Sequence, residues 1–178
     1  MSASAGGRSW RDGIGPVLGT IVFFFLAPAR MAFYVPCAIT RWRRQPALFG
    51  FEPLRVTGAA LALAGLVVVA ECFARFARQG RGTPAPPLPT DRLVVTGLYR
   101  HLRNPMYVGV TSIVLGQALL FGSRTLVVYA LAVAAAFHLF VTAYEEPVLR
   151  ARYGAEYAAY CAAVRRWWPR RRPWRGES

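Results

Sequence analysis

Residues 106–144 read MYVGVTSIVLGQALLFGSRTLVVYALAVAAAFHLFVTAY, and Arg124 is the single Asp, Glu, Lys or Arg among them. Two apolar runs, 106–121 and 125–144, flank the turn pair Gly122-Ser123. A membrane crossing needs about 20 residues, and about 17 at the short end. The first run is therefore read as one limb of a tight helical hairpin. At about 1.5 Å per residue, Met106 lies ~24 Å and Glu145 ~33 Å from the turn. Both limbs then end on one side, which brings residues 99–107 beside Glu145 and Glu146. The fold class that follows is all-α, a polytopic membrane helix bundle.

Two earlier apolar stretches, about 14–38 and 56–76, bring the expected spans to four, in a single membrane domain covering 1–178. The first has a rival reading. Arg8 and Arg11 precede a run ending in Ala27-Pro28-Ala29, as in a signal peptide cleaved after Ala29. Apolar character continues to Val35, longer than a signal core, which favours an uncleaved span. Pro28 is expected to kink this helix, and Arg30 to reach out to the headgroups.

The chain has formal charge +14 and no lysine, so its cations are all arginines. Their Arg- and Ala-rich background fits a GC-rich bacterial genome and hence the bacterial inner (plasma) membrane. The arginines fall between the apolar runs, as membrane-flanking charges do, rather than in a nucleic-acid-binding stripe. Sixteen lie in the N-terminal segment, the second loop and the C-terminal segment, against five (Arg41, Arg43, Arg44, Arg55, Arg124) on the other side. Both termini are therefore expected in the cytoplasm, with Arg41–Arg44 as a dissenting cluster. Three cysteines and two histidines without ligand spacing speak against a disulfide framework and a metal site.

The second loop has two parts. Residues 80–89, GRGTPAPPLP, are expected to form an extended strap. Residues 93–109, LVVTGLYRHLRNPMYVG, are dense in polar, aromatic and glycine positions. Asn104-Pro105 makes a good helix start, with Asn as N-cap and Pro at the first helical position. After the last span, Glu145-Glu146-Pro147 opens a helix over about 145–164. Leu149, Tyr153, Tyr157, Tyr160, Val164 and Trp167 form one stripe along it, read as an interfacial amphipathic helix. Trp167, Trp168 and Trp174 among the terminal arginines suit an anionic headgroup layer.

A helix start favours an anion, and a helix end bearing two carboxylates favours cations. A small ligand with a carboxylate at one end and cationic groups elsewhere matches that pair. S-adenosylmethionine is such a ligand, and no dinucleotide-type glycine fingerprint is present. Simpler roles stay open: Arg100 and Arg103 as loop charges, Tyr99 and Tyr107 as interface aromatics, and Glu145 and Glu146 in salt bridges to Arg100, Arg103 or Arg150. His138, seven residues before Glu145, is expected near the same helix face, either packed or lining a substrate channel. Glu71 and Arg75 are spaced for an ion pair.

The two ordered motifs around the hairpin, GLYRHLRNPMYVG and EEPVLRARYGAEYAAYCAAV, together with GRGTPAP, resemble the isoprenylcysteine carboxyl methyltransferase and phospholipid methyltransferase superfamily. The resemblance implies a membrane enzyme that binds S-adenosylmethionine at the cytoplasmic ends of its last two spans. Carried over by position, Arg103, Pro105, Tyr107, Glu145 and Glu146 belong to the pocket, and Arg103, Glu145 and Glu146 are the expected catalytic residues. Gly97, Leu98, Tyr99, Arg100, His101, Asn104 and Arg150 complete the expected cofactor site. His138, Tyr153 and Tyr157 are expected on the acceptor side. One position departs from the pattern: Asn104 stands where the superfamily has histidine, and it cannot act as a base. The acceptor is expected to be a lipid or other apolar small molecule, with membrane lipids as surroundings. Two rivals remain, a membrane reductase of the sterol-reductase type using a nicotinamide cofactor, and a non-enzymatic lipid-binding scaffold.

Overall fold

The computed structural model describes residues 28–79, 93 and 95–176, with side chains for all of these except 76–79. Residues 14–27 of the first expected span, the strap at 80–89, and Arg8, Arg11, Arg81 and Arg92 lie outside the described residues. Among the described residues every regular element is helical. A π-turn (Arg30–Tyr34) leads into α1 (Val35–Thr40). Then come α2 (Pro53–Gln79), α3 (Pro105–Phe121) and α4 (Arg124–Phe140), a second π-turn (Val141–Glu145), and α5 (Glu146–Ala163). Two helical stretches, Pro53–Arg75 and Arg124–Ala163, are long and apolar enough to cross a membrane; α3 is apolar but shorter, at 17 residues.

The hairpin forms where the turn pair places it. Gly122 is left-handed (φ 72°), and a Cβ there would run into the Pro46 carbonyl oxygen. Only glycine meets both demands. Ser123 caps α4, its hydroxyl accepting from the Leu126 N–H at 3.3 Å. The last carbonyls of α3 are taken from outside the helix: Gln45 N–H donates to Phe121 O (2.9 Å) and Arg55 Nη1 to Leu120 O (2.8 Å).

Glycines set the α2–α3 contact. An added Cβ on Gly58 would stand 2.6 Å from Gly116 O, and one on Gly65 would stand 2.6 Å from Gly109 O. On each helix the two glycines, Gly58 and Gly65 or Gly109 and Gly116, are seven residues apart, two helical turns, so they share a face and the antiparallel backbones touch at two levels. This seven-residue repeat is visible in the sequence, but an apolar-block reading passes over it.

Both π-turns have one cause. Each is followed by a single residue and then a proline, Val35-Pro36 in the first case and Glu146-Pro147 in the second. Proline has no N–H to return to the preceding turn, and here the backbone widens to bonds five residues back, Val35 to Arg30 and Glu146 to Val141. The orphaned carbonyls of the first turn are taken by neighbouring helices: Gln117 Nε2 donates to Ala32 O (2.6 Å) and the Tyr129 hydroxyl to Met31 O (3.3 Å). The turn that a kink at Pro28 would distort, residues 24–27, lies outside the described residues; within them the irregularity is the one before Pro36. Pro147 does not open a separate helix; α4 runs through the second π-turn into α5.

The stripe on α5 is covered by protein. The helix breaks at Gly154 (φ 49°, ψ −120°), and Tyr157, Tyr160 and Val164 are buried against Leu93, Val95, Leu149, Tyr153 and Trp174. Residues 164–176 then double back across the 97–104 segment. Arg103 N–H donates to Arg165 O, Arg170 N–H to His101 O and Trp174 N–H to Arg100 O, at 2.9–3.1 Å.

Candidate active site

The hairpin brings the two motifs together as its geometry requires. The Tyr107 hydroxyl, one turn into α3, donates to Glu145 Oε2 at 2.8 Å across to the second π-turn. Glu146, 5% exposed, faces the other way. Arg166 grips it with both arms (Nε to Oε1 2.7 Å, Nη2 to Oε2 2.9 Å), and Arg103 Nη1 stands 3.1 Å from Oε1. Hydrogen bonding to Glu146 raises the Arg166 guanidinium further above its ordinary value, so the bridge is ionic across the physiological range. Two adjacent carboxylates therefore do different work.

The inserted residue of the π-turn explains the split. One extra residue offsets the helix by about 100°. It turns Glu145 toward Tyr107 and aligns Glu146, rather than Glu145, with His138. Successive tail residues record that alignment: Arg166 binds Glu146, and Trp167 Nε1 donates to His138 Nδ1 at 3.2 Å. The His138 proton in the neutral ring therefore sits on Nε2.

Three of the 97–104 side chains are held by backbone carbonyls of the tail. Arg100 Nε donates to Trp174 O (2.6 Å), His101 Nδ1 to Arg170 O (2.9 Å) and Asn104 Nδ2 to Arg166 O (3.3 Å). Asn104 occupies the N-cap position of α3, but its side chain does not cap the helix. Gly97 (φ 54°) opens the 3₁₀ turn with the Arg75 guanidinium against it, in the place of a Cβ; Arg75 also pairs with Glu71, as their spacing predicts. Leu98 and Tyr99 pack on Cys72 and Met106, and the Tyr99 carbonyl accepts from Tyr160 (2.6 Å). Pro105 is the buried first residue of α3, and Arg150 is exposed on α5. Arg103 is the exception to full engagement. Nη1 reaches Cys161 Sγ (2.8 Å) and Glu146, while the buried Nε has no hydrogen-bond partner.

Beside this polar cluster runs an apolar groove of about 320 Å³ between α2, α3 and α4. Leu61, Leu115 and Phe137 line it, and Tyr107, His138 and Trp167 stand at its polar end. The Tyr107 and Phe137 rings lie 4.6 Å apart. Tyr153 and Tyr157, expected beside the acceptor, do not line this groove and belong to the α5–tail cluster. Sequence reasoning missed Arg166, Trp167 and Cys161. Cys161 and Trp167 lay within the stretch of the aromatic stripe and read as part of it, and Arg166 read as a headgroup charge.

The sequence profile of phospholipid methyltransferases matches residues 54–156, more than half of the chain, from the start of α2 through the first motif and into the second. The chain belongs to the phospholipid methyltransferase family. No curated protein and no solved structure matches it. Membership places this phospholipid methyltransferase relative among enzymes of methyl transfer to lipid-like substrates, and its long apolar helices associate it with membranes. The tail that supplies Arg166 and Trp167 lies beyond the matched residues.

Proposed function

We propose that the protein transfers a methyl group from S-adenosylmethionine to the head group of an apolar-tailed acceptor at the cytoplasmic membrane face. The observation that carries this reading is the apolar groove whose polar end holds Tyr107, the residue that donates to Glu145. A groove of that kind suits a hydrocarbon chain, and its polar end sets the chain's head group beside a carboxylate. The sixteen-to-five arginine asymmetry supports four crossings with both termini and the motif end in the cytoplasm of a bacterial plasma membrane.

The residues present fit the cofactor. The buried Arg103 Nε is a donor without a partner, suited to a carboxylate, and Glu145 supplies a negative group for cationic atoms. Arg103, Tyr107 and Glu145 would hold it, with Arg150 at the exposed side. When bound, S-adenosylmethionine supplies an electrophilic methyl on a sulfonium. The protein's own contribution is alignment and electrostatics. Tyr107 fixes the Glu145 carboxylate through Oε2. Glu145 can take a proton from an amine or thiol acceptor, whereas a carboxylate acceptor needs no base. Trp167 and Phe137 wall the groove beside Tyr107. Glu146 holds the tail in place through Arg166, a positioning role.

Purified protein titrated separately with S-adenosylmethionine and NADPH should bind the first and not the second. Methyl transfer from labelled cofactor, assayed on one head group carried by progressively longer chains, should rise steeply with length, at about 0.8 kcal/mol per buried CH₂, until partitioning saturates. Binding of NADPH alone would point to the reductase, and binding of neither to a scaffold. Equal turnover of short and long chains would put acceptor entry in water.

A further inference from the structure

The end of the molecule opposite the motifs carries a patch that the methyl-transfer reading does not use. Among the described residues, three non-glycine positions have positive φ, and all lie in one loop: Arg41 (49°), Trp42 (55°) and Phe49 (57°). Side chains disfavour that backbone region, and such residues persist only where surrounding contacts hold them. Here the loop holds large apolar groups outward. Phe49 is 90% exposed, Phe51 56% and Trp42 52%. Arg41, Arg43 and Arg44 are exposed among them. The one acidic residue nearby, Glu52, is bound by Arg55 at 2.6 Å, so the loop is strongly cationic.

We propose that loop 41–52 binds the anionic phospholipid headgroups of the leaflet at the turn end, with Trp42, Phe49 and Phe51 set into that interface. Aromatic rings beside arginines suit the boundary between hydrocarbon and phosphate, where the rings find an apolar side and the guanidiniums an anion. The loop is fixed to the helices it would anchor. Trp42 N–H donates to Thr40 Oγ1 (3.2 Å), the Trp42 ring stands edge-on to Phe121 at 5.3 Å, and Gln45 binds the Phe121 carbonyl. The length of α3 gives the anchor a purpose. Its 17 residues rise about 25 Å, short of a hydrocarbon core about 30 Å thick. A short helix must be held at one boundary or thin the bilayer. Held at the turn end, it leaves the motif end a few ångströms inside the other boundary. That last consequence rests on the proposed acceptor; the lipid contact itself does not.

The test is thermal unfolding of the full chain in detergent micelles supplemented with phosphatidylglycerol or with phosphatidylcholine at equal mole fraction. Phosphatidylglycerol should raise Tm several degrees more than phosphatidylcholine. The Arg41→Gln/Arg43→Gln/Arg44→Gln variant should lose most of that difference, and Arg171→Gln/Arg172→Gln/Arg175→Gln, which removes equal charge at the other end, much less. Phe49→Ser should reduce the gain from both lipids. An equal loss in the two triple variants would mean diffuse charge attraction and overturn the proposal. So would an undiminished gain in the first, or the same shift from inorganic phosphate. An unchanged gain in Phe49→Ser would overturn the aromatic half. Should the first triple variant not unfold cooperatively, Arg43→Gln/Arg44→Gln carries the same comparison with a smaller expected loss.

Discussion

Each end of the α3–α4 hairpin is organised around an arginine, and the two arginines are used differently. At the turn end Arg55 reaches Leu120 O, Gln45 O and Glu52, ending on backbone carbonyls and an exposed carboxylate. At the motif end Arg103 meets Glu146 and Cys161 and keeps a buried Nε without a hydrogen-bond partner. A buried donor left unpaired costs about 1–3 kcal/mol, a cost that the carboxylate of the proposed cofactor would offset. The turn end closes the bundle; the motif end keeps donor capacity in reserve.

Substitutions can break that contrast, and the largest effect is expected at Glu146. Glu146→Gln leaves Arg103 and Arg166 without their shared anion and should cost about 3–5 kcal/mol of stability. It should lower Tm by several degrees and abolish methyl transfer with it. A variant of normal Tm that merely binds cofactor less tightly would make Glu146 a ligand rather than a clamp. Gly122→Ala comes next. Left-handed backbone plus collision with Pro46 should cost about 2–3 kcal/mol in thermal unfolding, while cofactor affinity of the folded fraction stays unchanged. A change in that affinity would show that the two ends are coupled.

Glu145→Gln should behave in the opposite way, with Tm nearly unchanged and affinity for S-adenosylmethionine reduced roughly ten- to a hundred-fold, the worth of one charge-assisted contact at about 1.5–3 kcal/mol. Calorimetric titration reads this directly, and unaltered affinity would remove Glu145 from the site. The smallest effect is expected at Glu52→Gln, a barely measurable change in Tm, because an ion pair in solvent is worth little. A larger loss of Tm would mean that the turn end depends on its ion pair and not on its carbonyl contacts.

The fold was legible in the sequence because it is written in blocks: 106–121, Gly122-Ser123 and 125–144 dictate a hairpin, and the hairpin dictates which motifs meet. The meeting of Tyr107 with Glu145 followed from rise per residue alone. What stayed hidden depends on phase and on distant partners. A proline one residue beyond Glu146 shifts the helix by a single position, and this separates two neighbouring glutamates that periodicity treats as equivalent. The pairing of 100–103 with 165–174 leaves no periodic trace, since those bonds come from backbone groups that every sequence has. The tail arginines read as membrane-facing charge because nothing local reveals that Arg166 has a buried carboxylate waiting 20 residues earlier.

The first π-turn bears on how this sequence can drift. Pro36 leaves the Ala32 carbonyl without its usual donor, and the Gln117 amide on α3 supplies a substitute at 2.6 Å. Losing Gln117 alone would strand a buried acceptor, and the effects of two residues sharing one carbonyl do not add. With alanine at position 36 a backbone N–H returns to the ladder, and an aliphatic residue at 117 becomes tolerable. The two sites, 81 positions apart, are therefore a coupled pair in sequence space. A line that loses the proline first is free to lose the glutamine, whereas the reverse order passes through a weakened intermediate.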